Sequence, residues 1–530
     1  MKTFLEYNAS WIWLSQEEQG VNQYVEFRRE FYFDSQVEQK VSLFISSDSN
    51  YAVWINGTFI NCGQFSNYPE EKTYDILDVG KLLKIGKNAL CILVYYQGRT
   101  SFSYLKGEPG LLFALNGESF SIVSDNRTYC RKSRTYKNGP IYDITPQLSF
   151  AFEYNAAKKD DWLLEDYIPR EGWEKARIMT DPEDIYQLDL RERPLKKLDI
   201  QDRSEIHIAA QGVFIREPED GKTPAQLVQS DFMSPRLLDE LIAGKYEKVD
   251  ASIKGLNFNG DLFNANKGIY LILDLGWEEA GLFEMAVEAD EGTIIDIAHG
   301  EHLDDLRVRA SVGGRNFANR YICCEGQQVF TYPFKRFGCR FIEIHVLNVK
   351  DRFVFHYAGL RPTEYPIEEK GMFNCSDNLH NKIYKTSVRT LKLCMHEHYE
   401  DTPWREQALY GMDSRNQALC GYYSFGEYDF PEVSFSLLGR SLRDDGYLEI
   451  IAPSQFEKTI PSFCMAWILE VWEHYLYSGR LKAVKCLMPS VEKIIEKNMD
   501  NIQEGLLVAP QDKKYWNFYE WAEGLVNWER

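Results

Sequence analysis

The chain has 530 residues, more than one hydrophobic core can serve, so about three domains of roughly 100–200 residues each are expected. Its formal net charge of -20 argues against nucleic acid or an anionic membrane as a partner, since both are polyanions, and no run of about 18 apolar residues is present to cross a bilayer. Uncharged ligands such as sugars stay open, and the sequence does not address oligomeric state.

Aromatic residues make up 14% of the chain, which suits sugar stacking but suits β-sandwich cores equally well, and the second use is expected for most of them. Eleven cysteines without a CxxC pattern indicate reduced, mostly buried thiols. Glu6 follows Met1 too closely for a signal-peptide core, so a cytoplasmic protein is expected. No Asp-rich loop or ligand spacing points to a metal, and nothing points to a cofactor.

Residues 1–180 read as a jelly-roll-like all-β sandwich of the kind that often binds carbohydrate. Val25, Phe27, Phe31 and Phe33 alternate as in a half-buried strand, and Val41, Leu43 and Ile45 repeat the pattern. Asn56-Gly57 between two apolar runs marks a type I′ hairpin, and Ala89–Tyr95 is a further strand. Residues 181–250 are charged and irregular, as in a surface connector. A second sandwich is expected over 251–370, with strands at Ile269–Leu275, Gly281–Val287, Gly292–Ala298 and Arg340–Val346.

From 371 to 530 the period is helical. Ser376 or Asp377 caps a helix through Leu391. Thr402 and Pro403 are expected to start a second helix, and Pro431 precedes a third. A fourth runs from Ser462 to Tyr477 and stops at Gly479, and a fifth covers Leu481–Met499 with a bend at Pro489. About five helices do not close a bundle, so the domain reads as incomplete.

The chemistry concentrates in His396-Glu-His-Tyr-Glu-Asp401-Thr-Pro-Trp404-Arg405-Glu406-Gln-Ala-Leu-Tyr410-Gly-Met-Asp413. Glycosidic hydrolysis uses two carboxyl groups, one protonated and one ionised. On a helix from Pro403, Glu406, Tyr410 and Asp413 would share a face. Asp401, at the helix N-terminus, would stay an anion, and Glu406 between two carboxylates would hold its proton longer. The plainer reading is a solvated acidic helix start with Arg405 as its local partner. Trp404 and Tyr410 among the carboxylates favour a pocket. His396 and His398, two apart, suit a loop better than a pair of metal ligands.

The string Asp401-x-Pro403-x-Arg405-Glu406, with Tyr410 and Asp413, resembles the catalytic signature of glycoside hydrolase family 78, the α-L-rhamnosidases. Asp274-Leu-Gly276, Gly300-Glu301 and Arg336-Phe-Gly-Cys-Arg340 resemble the sandwich of that family next to its catalytic domain, so the resemblance covers most of the chain. It implies β-sandwich domains followed by an (α/α)6 toroid, and release of terminal α-L-rhamnose from glycosides or polysaccharides with inversion. Carried over, Glu406 is the general acid, and Asp401, Arg405, Tyr410, Asp413, Trp404, Trp467 and Trp521 hold the sugar. Tyr410 stands where the family usually has Trp, and Glu520 where Asp is commoner. A core role for Trp467 is an equal expectation. The family's general base is a glutamate whose position falls beyond Arg530, so a chain truncated within the toroid is expected. The missing base motivates an alternative, a non-catalytic carbohydrate-binding protein or inactive fragment.

Overall fold

The computed structural model describes residues 8–15, 20–34, 40–118, 120–179, 190–219, 221–244, 247–249, 252–264 and 266–526. The reading of Met1–Tyr7 as a non-signal start, the first part of the connector and the chain end at Trp528 lie outside them.

The N-terminal part is a sandwich of a seven-stranded and a six-stranded sheet. In the six-stranded sheet Gln23–Phe33 (β1) pairs antiparallel with Gly86–Tyr96 (β3), from Gln23 opposite Tyr96 to Phe33 opposite Gly86. In the other, Ser42–Asp48 (β2) pairs with Gly110–Asn116 (β4). Asn56 and Gly57 take positive φ, 52° and 80°, as the hairpin required. The alternation in β1 underestimates burial. Val25, Phe27, Phe31 and Phe33 face the inside of the sandwich, but Tyr24, Glu26 and Arg28 on the other face are buried too. There the second β-domain covers Tyr24, which packs edge-on to Phe334 with its hydroxyl 3.1 Å from that of Tyr332 and stacks on Tyr136 at 4.3 Å, while Glu26 pairs with Arg131 and Arg28 donates to the carbonyls of Trp162, Glu165 and Tyr167. Much of the aromatic content therefore lies in core between the β-domains.

The second β-domain is one ten-stranded sheet and begins earlier than expected. His207–Ile215 (β5), inside the stretch read as connector, pairs with Lys267–Ala289 (β6) from His207 opposite Asp274 to Ile215 opposite Lys267. Pro224–Ser230 (α1) is a helix with a complete capping box, Thr223 to Gln226. The separate strands expected at 269–275 and 281–287 are one strand, β6, interrupted where its pairing shifts between Asp274 and Glu279. A bulge of this kind leaves extra residues unpaired and turns them out of the ladder. Beside β6 run Gly326–Leu347 (β8) and Arg352–Glu364 (β9), and Ile294–Gly300 (β7) pairs with β8.

The helical domain holds Asn378–Leu393 (α2), Gly411–Ser424 (α3), Asp429–Arg440 (α4), Pro461–Ser478 (α5) and Leu481–Asp500 (α6). Asp377 caps α2 through its side chain, α5 starts on Pro461 and ends at Gly479 in the left-handed region, and Pro489 lies inside α6. The helix expected from Pro403 does not form; α3 starts at Gly411. Both β-domains touch the helical one. Tyr68 donates to the Leu437 carbonyl, Ser454 donates to the Ser101 carbonyl, and Arg193 ion-pairs with both Asp75 and Glu397. All eleven cysteines are unpaired, and no helix among the described residues is long and apolar enough to cross a membrane.

Candidate active site

Residues 401–410 form a closed loop because the side chain at its start satisfies the backbone at its end. Asp401 N–H donates to the Ala408 carbonyl, and Ala408 N–H donates to Asp401 Oδ1, both at 2.9 Å. Gln407 takes φ +51°, which turns the chain back and ends any helical path from Pro403. The second β-domain holds the loop from outside. A Cβ on Gly338 would lie 2.0 Å from the Pro403 carbonyl oxygen, so only glycine lets strand β8 approach this closely. Trp404 packs on Phe317 with ring centroids 4.7 Å apart, and Gln407 Nε2 donates to the carbonyls of Pro403 and Arg336.

The carboxylates converge through this loop rather than along one helix face. Tyr410 O–H donates to Glu406 Oε2 at 2.7 Å, and Asp413 lies in the first turn of α3. Burial, followed by the neighbouring Glu406 and Asp413, pushes Asp401 up to about 8. Burial also lifts Asp413 to about 6, with Glu406 adding to the rise and its own backbone N–H opposing it. The expected division of protons is thus corrected. Asp401 and Asp413, anticipated as lasting anions, are the groups whose proton affinity is raised. Asp401 is not at a helix N-terminus, so no helix dipole holds it ionised, and half-burial beside Glu406 penalises its charge.

Behind the loop lies Glu400, which spacing alone did not single out. Burial would raise its pKa, but Arg336, His396 and His398 outweigh that and hold it down to about 2. Arg336 donates to its Oε1, and His396 Nδ1 lies 3.1 Å from its Oε2. On α5, Glu470 accepts a 2.6 Å hydrogen bond from Ser414, next to Asp413, and burial raises it to about 8. At the bulge of β6, Glu278 is raised to about 8 by burial and by Glu301 and Glu279, while Glu301 accepts from Thr402 at 3.5 Å. The resemblance strings containing Gly276, Glu301 and Arg336 named the stretches around Glu278 and the partner of Glu400 but not their contacts, and Glu470 carried no signal in the sequence.

The remaining candidates separate. Tyr410 stays beside the carboxylates, edge-on to Phe102 from the first sandwich and to Phe463. Arg405 is exposed and makes no ion pair among the described residues, so it is not the partner of the acidic groups. Trp404, 4% exposed, is a packing residue against the second β-domain rather than a pocket wall. Trp467 is 0% exposed and donates its indole N–H to the Phe435 carbonyl at 2.8 Å, so its expected sugar contact is replaced by the core role. Trp521 is 68% exposed and packs on Trp516 and Phe518, apart from the loop contacts. His396 and His398 are buried loop residues, as their spacing suggested. Among the described residues no group of three His, Cys, Asp or Glu is placed to hold a metal ion.

Comparison with known proteins places these domains. Residues 368–527 match the model of the bacterial alpha-L-rhamnosidase 6 hairpin glycosidase domain, and residues 265–358 that of the bacterial alpha-L-rhamnosidase concanavalin-like domain. An alpha-L-rhamnosidase of Formosa agariphila is 27% identical over 241 residues, which are 41% of this chain and 25% of that protein. The match thus spans a quarter of the curated relative's length. The GH78 family rhamnosidase of Bacillus sp. GL1 superposes with a TM-score of 0.78 at 21% identity, covering 98% of this chain and 71% of that one. The Streptomyces avermitilis alpha-L-rhamnosidase, solved in complex with L-rhamnose, gives 0.64 at 16% identity over 94% and 44%. At these identities the structural likeness is one of fold: β-domains followed by helical hairpins.

Proposed function

We propose, for a chain whose residues 265–358 and 368–527 belong to the bacterial alpha-L-rhamnosidases, that the loop Asp401–Tyr410 and Asp413 form the proton-donating half of a site that releases terminal α-L-rhamnose from a glycoside or polysaccharide. The observation that carries this reading is the closure of the loop. It gathers Asp401, Glu406 and Asp413 into one half-buried group, in which burial and then the neighbouring carboxylates raise the proton affinity of Asp401 and Asp413. Such a cluster keeps a proton at neutral pH, which protonation of a leaving alkoxide requires.

Glu406 delivers the proton to the glycosidic oxygen. Tyr410 O–H occupies its Oε2, which orients the carboxyl and leaves the other oxygen for the substrate. Asp401, with Oδ1 engaged by Ala408 N–H, and Asp413 hold the sugar hydroxyls. The displacement inverts the anomeric centre, with a second carboxylate acting as base on a water at the opposite face of the sugar. Loss of a general acid costs about 10²–10⁴-fold in rate. Glu406→Gln is therefore expected to lower kcat on an aryl α-L-rhamnoside by about that factor, and proton NMR of the wild-type reaction to show β-L-rhamnose first. Equal activity in Glu406→Gln removes Glu406 from this role; α-L-rhamnose as first product removes inversion.

A further inference from the structure

The loop that carries Asp401 and Glu406 is gripped at both ends by one residue of the second β-domain. Arg336 lies on β8. Its guanidinium donates to Glu400, the residue before Asp401, and its carbonyl accepts from Gln407 Nε2 at 3.3 Å, the residue before Ala408. Asp401 and Ala408 are the pair whose mutual hydrogen bonds close the loop. Gly338, two residues along the same strand and on the same face, supports the Pro403 carbonyl between them. One strand of the neighbouring domain thus sets the height of both ends and the middle of the loop.

Glu400 itself is fastened on every side. Its carboxylate meets Arg336 and His396, its N–H donates to the Cys394 carbonyl at 2.9 Å, and its carbonyl accepts from Gln417 Nε2 of α3 at 2.7 Å. It is 1% exposed, and it contributes no atom to the cluster of Asp401, Glu406 and Asp413. A buried carboxylate with this many partners has one rotamer open to it, and the next residue along the chain inherits that fixity.

We propose that Glu400 and Arg336 are positioning residues, an ion pair across the domain boundary that holds Asp401 in register with Glu406. The pair acts on the reaction through Asp401 and not on the substrate, so the proposal rests on the reading of the Asp401–Glu406 loop given above. The groups that face the pair and the loop are His396, Glu397 and His398 from the turn that precedes the loop, Glu406 and Asp413 beside Asp401, and Glu301 against Thr402.

Three variants of the full chain test it. Glu400→Gln keeps the shape and removes the charge; kcat on an aryl α-L-rhamnoside is expected to fall at least thirtyfold with KM within threefold, and the pH profile of kcat to move. Arg336→Lys keeps the charge without the fork and is expected to retain more than a tenth of wild-type kcat. The double variant Arg336→Met/Glu400→Met replaces the buried pair with apolar side chains, an exchange that often restores stability. It is expected to return Tm to near the wild-type value while kcat stays low. Unchanged kcat and pH profile in Glu400→Gln, or recovery of both Tm and kcat in the double variant, overturns the proposal. A wild-type chain that turns over no rhamnoside counts against the function proposed above instead. The positioning role is then decided by carbon-13 NMR titration of the Asp401 carboxyl, whose midpoint is expected to move in Glu400→Gln; an unmoved midpoint overturns the proposal.

Discussion

Two prolines in the helical domain, Pro403 and Pro461, have the same local promise and opposite outcomes. Each follows a residue in extended conformation or able to cap, and each precedes a run that tolerates helix. Pro461 starts the eighteen-residue helix α5, while Pro403 lies in a loop and the next helix waits until Gly411. Local propensity is similar, so the difference comes from what packs on each run. Residues after Pro461 meet other helices, and a helix satisfies their backbone internally. Residues after Pro403 meet strand β8 at Gly338, the Asp401 carboxylate takes the Ala408 N–H, and Trp404 enters the other domain. A loop built from such contacts escapes a reading of spacing, because two of the competing partners, Gly338 and Phe317, lie 65 and 87 residues upstream of the residues they meet.

Removing the anchors of each run is expected to have the largest effect. Trp404→Ala and Trp467→Ala each empty a buried aromatic site, at a cost of about 3–5 kcal/mol by denaturant unfolding. Only Trp404→Ala should also lower kcat, since Trp467 is bound to the Phe435 carbonyl inside the helical core and Trp404 carries the loop. Equal kcat losses in the two would erase the distinction between the runs. Gly338→Ala comes next. The added methyl group meets the Pro403 carbonyl at 2.0 Å, and relief of that overlap is expected to cost about 1–3 kcal/mol and to shift the loop enough to depress turnover. Full activity there would mean that the loop keeps its position without the strand.

That contrast also marks how far the sequence could be read. The order of domains, the hairpin at Asn56-Gly57, the capped start of α2, the helix from Ser462 that became α5 and its stop at Gly479 were legible, because each depends on residues close in the chain. The stretch 401–413 stood out by its density of carboxylates and aromatics, and the structure brings its carboxyls together around one closed loop. Three things were not. The strand β5 has the charged flanks of a connector and is committed only by pairing with β6. The Asp274–Glu279 interruption splits one strand into two apparent ones. The protonation of Asp401 and Asp413 depends on burial contributed by other elements, which reverses the ordering that a helix N-terminus would impose.

The carboxyls themselves give a smaller, pH-resolved test. Asp401 binds its proton more tightly in the folded chain than in the unfolded one, so between about pH 4 and 8 the native state carries more protons and stability falls as pH rises. Glu400 works in the opposite sense: held down to about 2, it contributes stability above about pH 4.5 that is lost as pH falls towards 2. Asp401→Asn is expected to remove part of the downward slope between pH 4 and 8, at most about 1.4 kcal/mol per pH unit, and to leave the acid limb in place. A slope unchanged by Asp401→Asn would show that its proton affinity is ordinary.

The smallest effect separates stability from recognition within the loop. Arg405 is exposed and unpaired among the described residues, so nothing in the fold depends on its charge. Arg405→Ala is expected to change unfolding stability by no more than about 0.5 kcal/mol. If Arg405 serves the sugar, as the resemblance implies, KM for a rhamnoside rises while Tm stays put, because a guanidinium that is idle in the free protein has its donors available for hydroxyl oxygens. If KM also stays put, the arginine is a solvated neighbour of the motif, and the binding work within the loop belongs to Asp401, Tyr410 and Asp413, whose side chains the fold has already turned inward.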